Sequence, residues 1–398
     1  MRPTSKASGG FTMLELTVVL GLLGGFMLFL VQILDTGVTL FDEGAQGQEL
    51  ADLSNAAAEG TRDSLTAMAG PGREAYDDGR PGARLLVQWV PFGLVVAAGG
   101  AEETTTKVQA VRATVHLSPH EEEALLRGRL AERAAASASS PSPADVETRL
   151  RELLAEEPRR GRATMLLLPW PAPERDGAFL ELRRGLWLWG DTIALDRRRE
   201  VDVWDLDQLE GQALPEGFIV ANTEVVASDL LHFEVAMWSQ YTDSFERPTG
   251  ERGPERVWDS ARAGLLSAGE DPERRFSLDL FADSLEDATD DVFPRWLQVT
   301  LVVASGAREA VLSEDLSASG SALRVITAQR LADRNSGFVK VGTEWLRYGA
   351  LNGEVFSGLV RGQRHTPARA HPAGTRVHTG KTMVMQIPLA HGRDAWNG

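Results

Sequence analysis

The stretch GGFTMLELTVVLGLLGGFMLFLV, Gly9–Val31, governs the interpretation of the whole chain. It opens an apolar run, Leu16–Leu34, in which only Thr17 and Gln32 are appreciably polar. A helix over this run is about 28 Å long, close to the thickness of the hydrocarbon layer of a membrane. Glu15 stands directly before it, although a carboxylate close to the membrane interior costs about 1–3 kcal/mol. We therefore expect Glu15 to have a partner or a function.

The charges on the two sides of the apolar run indicate its orientation. Arg2 and Lys6 precede the run, whereas Asp35, Asp42 and Glu43 follow it. Basic residues favour the cytoplasmic side of a membrane helix. The sequence therefore predicts a single-pass protein whose large C-terminal part faces away from the cytoplasm.

Two common N-terminal signals fit this pattern less well. A cleaved secretory signal peptide has a shorter apolar region followed by small residues at its cleavage site, but this run ends in VQILDTG, Val31–Gly37. A plain signal anchor fits the length better and leaves Glu15 without an explanation.

The hexapeptide GFTMLE, Gly10–Glu15, resembles the class III signal of type IV pilins and type II secretion pseudopilins. In that family a prepilin peptidase cleaves after the glycine and methylates the new N-terminus. The resemblance implies cleavage between Gly10 and Phe11, with Phe11 as the N-methylated first residue. Glu15 then becomes the fifth residue, whose carboxylate neutralises the terminal ammonium of an adjacent subunit, since two charges that are costly alone in lipid are tolerable as a pair.

The sequence predicts an α+β fold. A long membrane-spanning pilin helix packs on a β-rich antiparallel globular head, which carries a small extra β unit near the C-terminus. The expected organisation is a leader over 1–10, the transmembrane part of the helix over 11–36, its periplasmic part over 37–70, a head over 80–336 with a charged helical insertion at about 118–162, the small β unit over 337–378, and a final strand and tail over 379–398.

Three segments of the head resemble the large minor pseudopilins of the J type and the related PilW-type minor pilins. Val225–Glu246 alternates like a half-buried strand, Arg256–Ser260 reads RVWDS, and Phe293–Val303 reads FPRWLQVTLVV. The resemblance implies a strand, a tryptophan loop and a final long strand, in that order.

The segment Gly337–Val377 departs from that pattern and predicts a small β unit with a strand through Tyr348, a turn at Leu351–Gly353 and a strand through Leu359. Its Glu-x-x-x-Tyr, Arg-Gly and His-x-x-Gly-Thr runs resemble small β modules of surface and phage-tail-like proteins, with no function attached. The closing KTMVMQIPL, Lys381–Leu389, is expected to return to the main sheet.

Composition and motifs predict a non-enzymatic protein. The formal net charge of −16 argues against nucleic-acid binding, and the absence of cysteine excludes disulfides and thiolate chemistry. The chain has no HExxH, G-x-S-x-G or P-loop motif, and its seven histidines have no carboxylate at a fixed offset. We therefore predict no catalytic residue, no metal site and no cofactor.

Two further groups of residues favour structural roles. The acidic runs Asp202–Asp207 and Asp283–Asp291 lack the EF-hand loop pattern, which favours solvated loops over calcium sites. Four tryptophans fall within strand-like runs and are expected to be core or interface anchors: Trp187, Trp189, Trp204 and Trp296.

These observations predict a minor pilin or pseudopilin subunit, processed by prepilin peptidase. It would reside in the bacterial inner membrane with its head in the periplasm, and would assemble with other minor and major pilins or pseudopilins at the tip of a periplasmic filament. The architecture is shared by type II secretion, type IV pilus and DNA-uptake machines. Two alternatives stay open: a membrane-anchored binding or enzymatic ectodomain, and a pilus-tip adhesin that uses the C-terminal β unit.

Overall fold

The chain of 398 residues was analysed as a computed structural model. The structure describes residues 12–68, 83–94, 105–136, 142–156, 161–172, 177–188, 192–196, 199–202, 218–239, 243–248, 257–260, 264–265, 293–304, 309–326 and 335–389. The chain divides into two compact units, Met1–Asp52 and Leu53–Gly398. Four α-helices are present in the described ranges: α1 (Met13–Thr66), α2 (Pro119–Ala136), α3 (Pro143–Glu156) and α4 (Phe218–Asn222).

In the first unit, α1 exposes the apolar side chains that the sequence places in a membrane. Leu22 is 71% exposed and Phe26 is 57% exposed, and the large apolar residues of Leu16–Leu34 are exposed throughout. A soluble helix would bury such residues against a core. The described chain has one helix long and apolar enough to cross a membrane, and the mean hydropathy of its most apolar window is 2.3.

In the second unit, the last turns of α1 lie on the main sheet through small side chains. A Cβ at Gly60 would collide with the backbone carbonyl of Val226, so only glycine fits at this point. Leu65 is fully buried nearby on the same segment. Other buried residues of this segment are also small: Ser54, Ala57, Thr61 and Ser64. This face allows helix and sheet backbones to approach closely, as the density of protein interiors requires.

Twenty strands are formed by the described residues. In chain order they are β1 (Leu85–Pro91), β2 (Lys107–His116), β3 (Arg162–Pro171), β4 (Leu180–Leu188), β5 (Thr192–Asp196), β6 (Arg199–Asp202), β7 (Glu224–Ser239), β8 (Ser244–Glu246), β9 (Val257–Asp259), β10 (Gly264–Leu265), β11 (Trp296–Val303), β12 (Glu309–Leu312), β13 (Ala322–Ile326), β14 (Gly337–Val341), β15 (Glu344–Tyr348), β16 (Ala350–Asn352), β17 (Val355–Ser357), β18 (Val360–Gln363), β19 (Arg376–His378) and β20 (Lys381–Pro388).

The main sheet of the head has ten antiparallel strands among the described residues. Its order is β10-β9-β1-β2-β3-β4-β7-β11-β20, and β8 pairs with β7. Every residue of β1 is buried, and the apolar residues of β2 and β3 are buried as well, except Trp170 and Pro171 at the end of β3. Helices α2 and α3 follow β2 and precede β3, within the predicted charged insertion. A hairpin of β5 and β6 stands outside this sheet.

A second sheet of eight strands, which we call the β module, has the order β16-β17-β13-β12-β19-β14-β15-β18. Its core contains Leu323, Val339, Leu346, Phe356 and Val377, each with at most 2% of its surface exposed. The module is larger than the predicted unit over 337–378, because β12 and β13 also belong to it. Strand β12 lies between β13 and β19, so the sheet would be divided without it.

The β module is inserted between two neighbouring strands of the main sheet. Strands β11 and β20 pair in register from Trp296 opposite Pro388 to Val303 opposite Lys381. The closing segment therefore returns to the main sheet, as its apolar composition predicts. Trp296, the first residue of β11, is 42% exposed and so is not a core residue of the head, and its predicted role as an interface anchor stays a prediction.

Candidate functional site

The predicted processing and assembly residues lie at the start of α1. Gly10 and Phe11 lie outside the described residues, whereas Glu15 is in the first turn of the helix. The backbone N–H of Thr12 donates to Glu15 Oε2 at 2.9 Å, and the Thr12 hydroxyl donates to the same oxygen at 3.0 Å. The N–H of Glu15 donates in return to Thr12 Oγ1 at 3.3 Å.

This reciprocal arrangement is a capping box, in which a threonine and a glutamate three residues later satisfy the free N–H groups of a helix start. Thr12-x-x-Glu15 carries this signal in the sequence, although the resemblance to prepilins implies only an assembly role for Glu15. Both bonds from Thr12 use Oε2, and no contact of Oε1 is found within the described part of the chain. The carboxylate can therefore cap its own helix and still accept a donor from another molecule.

The predicted tryptophan loop has a structural role in the head. Trp258 is 1% exposed, and its indole N–H donates to Glu246 Oε2 at 3.3 Å. Asp259 accepts from Arg84 at 3.0 and 2.5 Å, and the Ser260 hydroxyl accepts from the N–H of Leu85 at 2.8 Å. These bonds hold β9 against β1 at one end of the main sheet.

A buried carboxylate network organises the β module. The side chain of Glu344 is fully buried and accepts from Arg361 Nε at 2.8 Å and Arg361 Nη2 at 2.7 Å. It also bonds His371 Nε2 at 2.8 Å and accepts from the N–H groups of Gly362 at 3.1 Å and Arg369 at 3.0 Å. Burial alone would raise the pKa of Glu344, but the hydrogen bonds from His371, Arg361 and these N–H groups outweigh it and hold the pKa at about 2.

The Glu344 network gives His371 a carboxylate partner that no motif spacing indicates. The sequence shows no carboxylate at a fixed offset from its histidines, and the bond from His371 to Glu344 spans 27 residues of chain. The Glu-x-x-x-Tyr, Arg-Gly and His-x-x-Gly-Thr runs contain all three side chains of the network. Both oxygens of Glu344 accept hydrogen bonds, so the network fixes the connection between β18 and β19 and has the character of a structural element.

A buried lysine joins the β module to the main sheet. Lys340 is 4% exposed, and its ammonium donates to the carbonyl oxygens of Ala178 at 2.5 Å and Leu231 at 2.9 Å. Ala178 and Leu231 pack with Trp345 of the module in one apolar cluster. No local pattern predicts this contact, because a single lysine within GFVKV resembles a solvent-facing strand position.

Beside this contact lies a narrow opening between the β module and the main sheet, which we call the joint cleft. Its walls include Trp89, Lys107, His232, Trp345 and Arg364, and its cavity of about 20 Å³ has room for roughly one water molecule. Burial lowers the pKa of His232 to about 4, and the hydrogen bond to Glu234 opposes the shift only in part. His232 is therefore neutral at pH 7.

The described residues contain no group of three or more His, Asp or Glu side chains placed to hold a metal ion. The acidic run Asp283–Asp291 lies outside the described residues, as does all of Asp202–Asp207 except Asp202 at the end of β6. Trp189 and Trp204 lie outside them as well.

No family model matches the chain, and no curated protein is significantly similar to it. The functional assignment therefore depends on the residues and contacts described above.

Proposed function

We propose that the chain is a minor pilin-like subunit of a type II secretion pseudopilus or a type IV pilus. The observation that carries the proposal is the GFTMLE motif, Gly10–Glu15, directly at the start of a helix whose membrane-length apolar surface is exposed. An unburied surface of this kind needs lipid or other helices as its surroundings.

In this proposal prepilin peptidase cleaves the chain between Gly10 and Phe11 and methylates Phe11. Before assembly, the apolar part of α1 holds the subunit in the bacterial inner membrane. Arg2 and Lys6 remain on the cytoplasmic side until cleavage, and the β-rich head lies in the periplasm.

During assembly the exposed apolar side chains of α1 exchange lipid for the helices of sister subunits. Glu15 pairs with the N-methylated terminal ammonium of a neighbour, which neutralises both charges in an apolar surrounding. The capping box supports this role, because Thr12 occupies only Oε2 of the carboxylate.

The size of the head supports a place at the tip of the filament. Its main sheet carries a helical insertion with α2 and α3 and an additional eight-stranded module. A subunit that repeats along a filament must leave room for the heads of its neighbours, whereas a tip subunit is relieved of this limit on one side. The implied partners are other minor and major pilins or pseudopilins.

Mass spectrometry of the mature N-terminus, in cells with and without prepilin peptidase, tests the proposal. We expect a terminal peptide that begins with N-methylated Phe11 and disappears without the peptidase. An uncleaved N-terminus in both strains would overturn the proposal and favour a membrane-anchored ectodomain.

Two matched variants separate assembly from helix capping. Glu15→Gln keeps a capping-box residue, because glutamine serves at this position, but it removes the charge. Thr12→Ala removes the cap and leaves the charge of Glu15. We expect Glu15→Gln to abolish incorporation into filaments and Thr12→Ala to retain it, as measured by the subunit content of sheared filaments. Equal effects of the two variants would assign Glu15 to capping alone.

A further inference from the structure

The joint cleft concentrates positive charge in an otherwise acidic protein. Of the described residues that line it, Lys107, Lys340 and Arg364 are cationic and none is acidic. The whole chain has a formal net charge of −16. A partly enclosed cleft with charges of one sign attracts ions of the opposite sign, because its low-dielectric walls focus the electrostatic field.

Arg364 is held in the cleft by its backbone and by two aromatic rings. Its φ angle is +52°, a conformation that few non-glycine residues adopt. Its Cζ atom lies 4.3 Å from the centre of the Trp345 ring and 4.8 Å from that of Phe338. These two cation–π contacts hold the guanidinium in position. They leave its N–H groups available for hydrogen bonds, which lie in the plane of the guanidinium.

Two polar atoms that line this cleft are buried without a hydrogen-bond partner in the structure: Nη1 of Arg364 and Oγ1 of Thr106. Burial lowers the pKa of Arg364 to about 10, so the guanidinium remains charged at neutral pH. A buried charged donor without an acceptor costs several kcal/mol, so such groups normally bind a water molecule, an ion or a ligand.

The carboxylate that influences Arg364 most is already occupied. Glu234 accepts from Arg247 Nη1 at 2.7 Å and bonds His232 Nε2 at 3.4 Å. It acts on Arg364 through its charge, without a hydrogen bond to Nη1. His232, which also faces the cleft, is neutral at pH 7 and therefore adds no further positive charge beside Arg364.

We propose that the joint cleft binds a carboxylate group, which accepts hydrogen bonds from Arg364 Nη1 and from the hydroxyl of Thr106. The cavity of about 20 Å³ has room for one water-sized group, so one carboxylate oxygen enters it and the rest of the ligand stays at the opening of the cleft. Arginine and carboxylate form strong charge-assisted hydrogen bonds. This site is independent of the proposed role in a filament.

A carboxylate can come from a free small acid or from an acidic side chain of another protein, and two probes distinguish these sources. Full-length protein in detergent micelles, labelled with ¹⁵N-arginine, is titrated with sodium acetate at constant ionic strength, with sodium chloride as the reference salt. A hexapeptide with a central Asp and blocked termini is the second probe. We expect a saturable shift of the Arg364 guanidinium resonance with acetate that chloride does not reproduce.

Two variants test whether acetate binds to Arg364 Nη1 and Thr106 Oγ1. Arg364→Lys keeps the charge but loses the planar donor group, and we expect it to weaken acetate binding about tenfold. Thr106→Val removes one hydrogen bond but keeps a side chain of similar shape, and it is expected to weaken acetate binding about fivefold. Arg347→Gln is the matched control, because Arg347 is an exposed arginine of the same module.

The two probes and the variants distinguish the possible ligands of the cleft. Binding of acetate alone assigns the cleft to a free small carboxylate, and binding of both probes assigns it to an acidic residue of a partner as well. Binding of neither probe, or equal loss in Arg347→Gln and Thr106→Val, would overturn the proposal and leave the cleft as a water site. Because Thr106→Val preserves the packing of Arg364 on its two rings, a folding defect of Arg364→Lys would not obscure the result.

Discussion

Gly60 of α1 lies directly against the carbonyl oxygen of Val226 of β7, with no room for a Cβ between them. This contact sets the distance between the helix and the main sheet in the second unit. It also explains why most of the buried residues around it on the helix are small, with Leu65 as the large exception.

Gly60→Ala is expected to destabilise the head by about 1–3 kcal/mol, because the added methyl group forces the helix away from β7. Urea unfolding followed by tryptophan fluorescence measures this change. The control is Gly128→Ala on α2, where a Cβ meets no atom within 4 Å. That variant should gain about 0.5–1 kcal/mol from reduced backbone entropy in the unfolded chain. Equal changes at the two glycines would contradict the close contact.

Glu344→Gln is expected to cost about 3–5 kcal/mol, because it leaves the Arg361 guanidinium buried without its counter-charge. The same urea experiment applies. Glu354→Gln, at an exposed glutamate of the β module, is the control and should change stability by less than about 0.5 kcal/mol. A small effect at Glu344 would mean that Arg361 finds another acceptor.

The stability of the head should decrease as the pH is lowered, over a range that the titration of His232 sets. Its pKa is lowered from 6.5 to about 4, so the folded state favours neutral histidine while the unfolded state binds a proton. Its contribution is complete above pH 6.5 and is lost as the pH falls towards 4. His232→Gln should flatten the stability curve between pH 4 and 6.5, whereas His116→Gln, at an exposed histidine, serves as the control. An unchanged slope in His232→Gln would refute the assignment.

Glu344 sets a second pH range, lower than that of His232, in which the stability of the head changes. Its folded pKa of about 2 lies below the ordinary value of 4.5, so its contribution to stability is complete above pH 4.5 and is lost as the pH falls through 2. Acid unfolding of the wild type should therefore steepen below pH 4.5. Glu344→Gln should lack this steep phase while it keeps the His232 window. A variant that retained both phases would show that another carboxylate is responsible.

Lys340→Met should loosen the contact between the β module and the main sheet, because it removes a charged donor from the carbonyl oxygens of Ala178 and Leu231. A hydrogen bond to a charged group contributes about 1.5–3 kcal/mol. Hydrogen–deuterium exchange should become faster in the peptides that contain Ala178 and Leu231. Lys381→Met, at an exposed lysine of β20, is the control and should leave these peptides unchanged.

The sequence predicted the elements whose signals are local. The apolar run predicts the first part of α1, and the alternation in Val225–Glu246 predicts β7. The apolar KTMVMQIPL gave a strand that returns to the main sheet, which is β20 beside β11. In each case a continuous segment carries its own periodicity, so the pattern can be detected without knowledge of the partner strand.

The features that the sequence analysis missed depend on pairs that are distant in the chain. Strands β12 and β13 are short, and they become part of the β module only through their pairing with β19 and β17. Glu344 and His371 are 27 residues apart, and Lys340 bonds Ala178 across 162 residues. No single-sequence periodicity encodes such partners, whereas the Thr12–Glu15 cap was readable from its spacing alone.

The insertion of the β module between Val303 and Lys381 has a consequence for how this head can diversify. Directly opposite residues of antiparallel strands are about 5 Å apart, so the main sheet tolerates either a tight hairpin turn or a whole domain at this place. The β module is best excised after Ala304 and before Gly380. A cut at 337 would separate β12 and β13 from their partner strands. One contiguous exchange of sequence can therefore replace the β module while the register of β11 and β20 is kept, provided that the new domain also covers Ala178 and Leu231.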